Sequence, residues 1–202
     1  MIYSLINAAQ HTIDITMYEL DDPTFEQDLA NRVAAGVAVR VILDQNLEGN
    51  NNQAAYAFLS QNGVAVHWAN PVYAATHQKS ITIDGAQTAI LTLNLTPRYY
   101  STDRDFAIID SDLNDVSAIE GTFQADFTNS AITPALGDDL VWSPTTSEGA
   151  ILGLINSAQK KLQVENEEMS DRDIVNALAS AARRGVDVQI TMTNTAGEYA
   201  SE

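Results

Sequence analysis

Apolar residues recur along this chain in two alternating rhythms, one with the spacing of a helix and one with that of a strand. Ile2, Leu5, Ile6 and Ala9 follow the helical spacing, and Ile13, Ile15 and Met17 then alternate as a strand over Thr12 to Tyr18. Asp22-Pro23 opens a second helix with proline in its first turn; this helix is expected to bury Phe25, Leu29 and Val33 and to stop at Gly36. Val37 to Leu43 is dense in β-branched residues, which predicts a strand buried on both faces. The polar stretch Gly49-Asn50-Asn51-Asn52 is expected as a loop leading to a helix through Tyr56, Phe58 and Leu59 that ends at Asn62-Gly63. Val64 to Trp68 predicts a short strand, and Gln78 to Ile83 with Thr88 to Leu93 predict a hairpin closed by Asp84-Gly85. A strand over Arg104 to Ile109 and a helix over Asp112 to Phe127 follow, and residues 128–147, with Pro134, Gly137 and Pro144, read as a linker. The alternation predicts an α/β fold, a mixed or mostly parallel sheet flanked by helices.

The chain also repeats itself. Ile2-Tyr3-Ser4-Leu5-Ile6-Asn7-Ala8-Ala9-Gln10 returns as Ile151-Leu152-Gly153-Leu154-Ile155-Asn156-Ser157-Ala158-Gln159. Held ungapped, the register sets Glu19 on Glu168, Leu29-Ala30 on Leu178-Ala179, Gly36-Val37 on Gly185-Val186 and Val39 on Val188, with about 13 of 43 positions identical. Chance alternation of elements does not keep one register over that length. The expected organisation is a first repeat over 1–128, a linker over 129–147 and a second repeat from 148 to 202. That second repeat is expected to be incomplete, since its match ends at Thr193, level with Asp44 of the first.

Composition narrows the function classes. With 202 residues and 45% hydrophobic content, the chain suffices for one large core or two similar half-domains. No apolar run is long enough to cross a bilayer, so no stable membrane insertion is expected of this segment. No signal peptide is visible; export, and hence compartment, stays open. The absence of cysteine excludes disulfides and thiolate metal sites. The formal net charge is −17, with lysine only at 79, 160 and 161. So acidic a surface repels phosphate backbones and disfavours tight, nonspecific DNA binding, whereas an enzyme with one small basic pocket is compatible with it.

The chemistry concentrates in one segment, His77-Gln78-Lys79-Ser80-Ile81-Thr82-Ile83-Asp84-Gly85, with Asn94 ten residues beyond Asp84. His77 and Lys79, two apart on an expected strand, share one face. The pattern His-x-Lys-x4-Asp followed by a downstream Asn resembles the signature of the phospholipase D superfamily, and Arg104-Asp105-Phe106-Ala107-Ile108-Ile109-Asp110 resembles that family's next strand. The resemblance covers nearly the whole chain. One departure is Leu91-Thr92-Leu93-Asn94, where the family usually writes Gly-Ser-x-Asn: Thr92 keeps a hydroxyl, but the glycine is gone.

What the resemblance implies is a duplicated phospholipase D-like fold with one motif per half and the active site between the halves. His77 is expected as the nucleophile, forming a phosphohistidine. Lys79 and Asn94 are expected to hold the non-bridging oxygens, and Asp105 to accept the other imidazole N–H. Asp84 and Thr92 are expected in supporting roles. A second histidine would protonate the leaving alkoxide, and the repeat offset places it at about position 226, so this stretch alone is expected to be inactive. No cofactor or metal is implied. The expected reaction is hydrolysis of a phosphodiester or phosphatidyl transfer, on a phospholipid rather than a nucleic acid. Alternatives are a nuclease of the same superfamily and a non-catalytic interaction module. His11 and His67 read as structural, and Glu165-Asn166-Glu167-Glu168 as a solvated charge run rather than a metal site.

Overall fold

The structure, a computed structural model, describes residues 1–193. The chain divides into two compact units, Met1–Leu140 and a second beginning at Val141. The first unit runs α1 (Ile2–Ala8), β1 (Thr12–Met17), α2 (Pro23–Ala34), β2 (Ala38–Leu43), α3 (Gly49–Gln61), β3 (Ala65–Trp68), β4 (Ser80–Ile83), β5 (Gln87–Leu91), β6 (Ala107–Asp110) and α4 (Leu113–Phe127). The second runs α5 (Ser147–Ser157), β7 (Lys161–Asn166), α6 (Arg172–Arg183) and β8 (Asp187–Met192).

Six strands make one mixed sheet in the order β3-β2-β1-β4-β5-β6. β1, β2 and β3 run parallel; β4, β5 and β6 each run antiparallel to the strand before them in that order. β1 is therefore central, and its carboxyl end lies beside the start of β4, with Thr16 opposite Ser80. The residues just after β1 and just before β4 meet at one end of the sheet.

The central strands of the sheet are buried on both faces, by two different chemistries. On one face Ile13, Ile15, Met17, Val39, Val41 and Leu43 share a core with Phe25 and Leu29 of α2 and Leu59 of α3. Each such fully buried side chain contributes about 1.5–3 kcal/mol. Asp22 accepts the N–H groups of Thr24 and Phe25 at 2.9 and 3.2 Å, capping α2 so that Phe25 and Leu29 face this core. The other face carries Asp14, Arg40, Thr82 and Thr88 under α4. There Arg40 donates to both Asp14 oxygens at 2.6 and 2.5 Å and lies over the Phe123 ring. The polar positions of β1 thus reach partners rather than solvent.

Three segments depart from the expectations. The Asn-rich stretch is not a loop: Gly49, Asn50, Asn51 and Asn52 form the first turn of α3. Asp44 accepts the N–H groups of Leu47 and Glu48 just ahead of it, and buried Asn52 bridges Leu20 N, the Tyr18 carbonyl and the Asp44 carbonyl. β4 begins at Ser80, so His77, Gln78 and Lys79 precede it, although the Lys79 carbonyl still accepts Leu91 N at 2.9 Å. β6 begins at Ala107 rather than Arg104. The hairpin turn is as the sequence suggests: Asp84 and Gly85 have φ of 53 and 59°, closed by Ala86 N donating to the Ile83 carbonyl at 3.0 Å.

Residues 128–140 belong with the first unit. Gly137 takes a φ of +56°, and a Cβ there would meet Asp115 Oδ1 at 2.0 Å, so only glycine lets Asp138 N donate to that oxygen at 2.5 Å.

The second unit repeats the first. β7 pairs parallel to β8 with Lys161 opposite Asp187, as Thr12 lies opposite Ala38. Asp171 caps α6 through the N–H groups of Asp173 and Ile174, as Asp22 caps α2, and Gly36 and Gly185 end those helices with φ of 92 and 93°. Every one of these pairs keeps the offset that sets Ile2 on Ile151.

Candidate active site

His77 and Lys79 come together at the carboxyl end of β1. Thr76 N donates to buried Asp44 at 2.7 Å, which anchors the extended segment just before them. His77 is exposed, whereas Lys79 is only 6% exposed, and its Nζ lies 3.0 Å from His77 Nε2. Burying an ammonium is costly unless it is compensated. Beside the imidazole, compensation comes from Tyr18, whose ring centroid is 5.1 Å from Nζ.

Tyr18 touches both members of the pair. Its ring meets the His77 ring edge-on, with centroids 4.4 Å apart and planes at 69°. Burial first, and then the neighbouring Glu48 carboxylate, hold its phenol well above the ordinary value. Tyr18 is therefore a neutral, fixed wall beside the imidazole.

Asn94 is placed by a second network. A bridge between Leu20 and Leu95 joins the segment after β1 to the segment after β5, with Leu95 N donating to the Glu19 carbonyl at 3.1 Å and Asp21 N to the Leu95 carbonyl at 3.0 Å. Glu19, 4% exposed, takes Arg98 at 2.7 Å and a long 3.5 Å contact from Asn94 Nδ2. Burial raises the Glu19 carboxyl above its ordinary value, and Arg98 opposes that shift. Tyr3 and Tyr100 both donate to Asp22, tying the 97–103 loop to the same region.

Thr92 and Asp105 form a third cluster. Thr92 Oγ1 donates to Asp105 Oδ1 at 2.7 Å and accepts Phe106 N at 2.8 Å, so this hydroxyl organises the entry to β6. Asp84 lies at the other end of β4. There its carboxylate accepts N–H groups of Gln10, His11 and Thr12 at 2.9, 2.7 and 2.8 Å. Burial pushes Asp84 up, but these three donors outweigh it and its carboxyl titrates below the ordinary value. His67 stacks on Phe127 at 3.9 Å, with Nδ1 2.8 Å from the Phe127 carbonyl, and so pins the end of α4.

The motif led directly to His77, Lys79, Asn94, Thr92 and Asp105, while Tyr18, Glu19, Asp44 and Arg98 were missed. Their signal was positional: Tyr18-Glu19 and Asp44 follow directly on parallel strands, where α/β sheets collect functional groups. Among the described residues no group of three or more His, Cys, Asp or Glu is arranged to hold a metal ion.

Residues 2–127 and 151–200 match the family model described as cardiolipin synthase, PLD-like domain. No curated protein matches the chain. Among solved structures it is similar to a phospholipase D family member, Nuc from Salmonella typhimurium, at 18% identity and TM-score 0.58, over 66% of this chain and 89% of that one. It is similar to phosphatidylserine synthase from Haemophilus influenzae at 15% identity and TM-score 0.70, spanning 96% of this chain but 59% of that one. Polyphosphate kinase from Porphyromonas gingivalis aligns at 15% identity and TM-score 0.75, over 95% of this chain and 32% of that one.

Proposed function

The chain belongs to the phospholipase D-like family, and from that premise we propose that it cleaves or transfers a phosphodiester through a covalent phosphohistidine at His77. The observation that carries this reading is the exposed His77 ring held 3.0 Å from an almost fully buried ammonium, Lys79 Nζ. A phosphate seated against this pair would meet a nucleophilic nitrogen and a fixed cation at once. The ring nitrogen forms a bond to phosphorus as the bond to the leaving alkoxide breaks, and a second histidine, from the other repeat, supplies that alkoxide's proton. Water or an acceptor alcohol then displaces the histidine, giving hydrolysis or transfer.

Lys79 and Asn94 take the non-bridging oxygens, where charge must be held through the transition state. Asp105, set in place by Thr92, accepts the imidazole N–H on the nitrogen that does not attack. Tyr18 fixes the imidazole plane, and Glu19 with Arg98 anchors the segment after β5 that carries Asn94. Asp84 supports the hairpin from the far end of β4. The organisation proposed is a first repeat over 1–128, a linker over 129–147 and a second repeat from 148.

A phospholipid suits the acidic surface better than a nucleic acid, since a net charge of −17 repels a polyanion. Among the described residues no helix is long and apolar enough to cross a membrane. The test is turnover of a chromogenic phosphodiester in EDTA by a chain carrying both repeats, alongside His77→Ala. Metal-independent turnover that falls by about 10³-fold or more in the variant is expected. Turnover that survives His77→Ala refutes the nucleophile. A folded, inactive wild type favours a non-catalytic interaction module. DNA binding with steep salt dependence favours the nuclease.

A further inference from the structure

The negative charge of this chain is unevenly placed. Residues 49–102 contain a single acidic residue, Asp84, beside Lys79 and Arg98, in a chain with 27 acidic residues, so the formal −17 comes entirely from the rest. Asp84 itself lies at the far end of β4 from His77, engaged by the N–H groups of Gln10, His11 and Thr12.

Sheet order decides where this neutral stretch reaches the surface. β5 runs antiparallel to β4, and β4 to β1, so β1, β2, β3 and β5 all end at one edge of the sheet. The loop before His77 leaves β3 there, and the loop carrying Asn94 leaves β5 there. On these two loops, and on the turn after β2, stand the exposed side chains of Leu47, Val72, Tyr73, Tyr99 and Tyr100, with Val72 75% and Leu47 64% exposed. The backbone beneath them is pinned. Asn46 Nδ2 donates to the Pro71 and Tyr73 carbonyls at 3.2 and 2.6 Å, Asp103 N donates to the Tyr99 carbonyl at 3.0 Å, and the Tyr100 hydroxyl reaches Asp22 at 2.8 Å. Carboxylates return at Asp103 and Asp105, which accept the hydroxyls of Thr102 and Thr92. Of the other acids at this edge, Glu19, Asp22 and Asp44 are buried, which leaves Asp21 and Glu48.

A mouth free of carboxylates is enough to admit a soluble phosphodiester, but it leaves the apolar and aromatic tips beside it unexplained. Tyrosine, with an apolar body and a polar end, suits the headgroup layer of a bilayer, and Val72 and Leu47 lose apolar contact with water there. An anionic bilayer, a nucleic acid and a second copy of this chain are all repelled by a charge of −17. We infer that this edge docks on a zwitterionic phospholipid surface, which brings a headgroup phosphate to His77. The inference rests on the phospholipid reading of the His77 site and adds how the chain meets that substrate, by lying on the bilayer surface.

The test is sedimentation of the whole chain with phosphatidylcholine vesicles at about millimolar lipid. Wild type is expected to bind. Val72→Ser with Tyr73→Ser is expected to weaken binding about fivefold or more, and Tyr99→Ser about threefold. The substitutions sit on two separate loops, so misfolding of one variant leaves the other to decide. Leu113, 66% exposed, starts α4 at the opposite edge, because β6 runs antiparallel to β5, and Leu113→Ser is expected to bind as wild type does. Adding phosphatidylglycerol to the vesicles is expected to weaken binding at low salt. No binding to phosphatidylcholine, tighter binding to phosphatidylglycerol, indifference to both loop variants or an equal loss in Leu113→Ser overturns the inference. So does self-association of the chain that the loop variants abolish, which would assign this edge to a second copy. Because no readout needs turnover, failure of the phosphohistidine reading and failure of this one are separately visible.

Discussion

Tyr18 and Asp84 show how differently single residues serve one site. The Tyr18 ring makes the edge contact with His77, while its hydroxyl lies near the Glu48 carboxylate and plays no part in that contact. Tyr18→Phe should therefore cost no more than a few-fold in kcat/KM, and Tyr18→Leu about 10²-fold, because a small misplacement of a nucleophile is expensive. Steady-state rates on one phosphodiester check this, and equal losses in the two variants would put the effect in the hydroxyl. Asp84 instead joins the β4–β5 turn to the start of β1 through three backbone donors. Asp84→Ala should destabilise the fold by about 1–3 kcal/mol and leave kcat of the folded fraction unchanged. The folded-state pKa of Asp84 is depressed, so its contribution is present above the ordinary value of 3.8 and is lost as pH falls through the folded value. Urea melts at neutral pH and in acid measure that closing gap.

At the scale of elements, α4 is the piece whose docking depends on protonation. Burial, then the charge and hydrogen bond of Asp14, push Glu120 up to about 7, against the pull of Arg40. Burial and the neighbouring charges of Asp22 and Asp21 likewise push Glu26 of α2 up to about 7. Raised carboxyl pKa values mean stability that is fully present below the ordinary value of 4.5 and lost as pH rises through about 7. The chain should lose on the order of 1 kcal/mol per group between pH 5 and 8. Glu120→Gln should remove its share of that slope, and with Glu26→Gln both shares. Denaturation midpoints at the two pH values decide it; an unchanged slope in the double variant would place the effect elsewhere.

For the molecule as a whole, charge is the dominant fact. A net charge of −17 makes the compact state repel itself, and salt screens that repulsion. The thermal midpoint should rise by roughly several degrees from ~0.02 to ~0.5 M NaCl. A flat response would mean that the acidic groups are locally compensated.

What the sequence determined by itself is whatever depends on near neighbours in the chain. Helix spacing, the Asp22-Pro23 start, the Asp84-Gly85 turn, the repeat register and the His77–Lys79 pairing are patterns the sequence carries by itself. The tertiary structure alone decided what long-range packing controls. Asp44 and Asn52 turn a polar, loop-like stretch into the first turn of α3, because a buried carboxylate and a buried amide can satisfy backbone groups far away in sequence. The alternation along β1 does not say what meets its polar positions; only the fold sets α4 over Asp14 and its partner Arg40. Tyr18, Glu19 and Arg98 carry no motif, and they join the site because strand order β2-β1-β4-β5 brings the end of β1 beside the segments flanking β4 and β5. Sheet order is settled by the burial of whole faces, a sum over many distant residues that no local window contains.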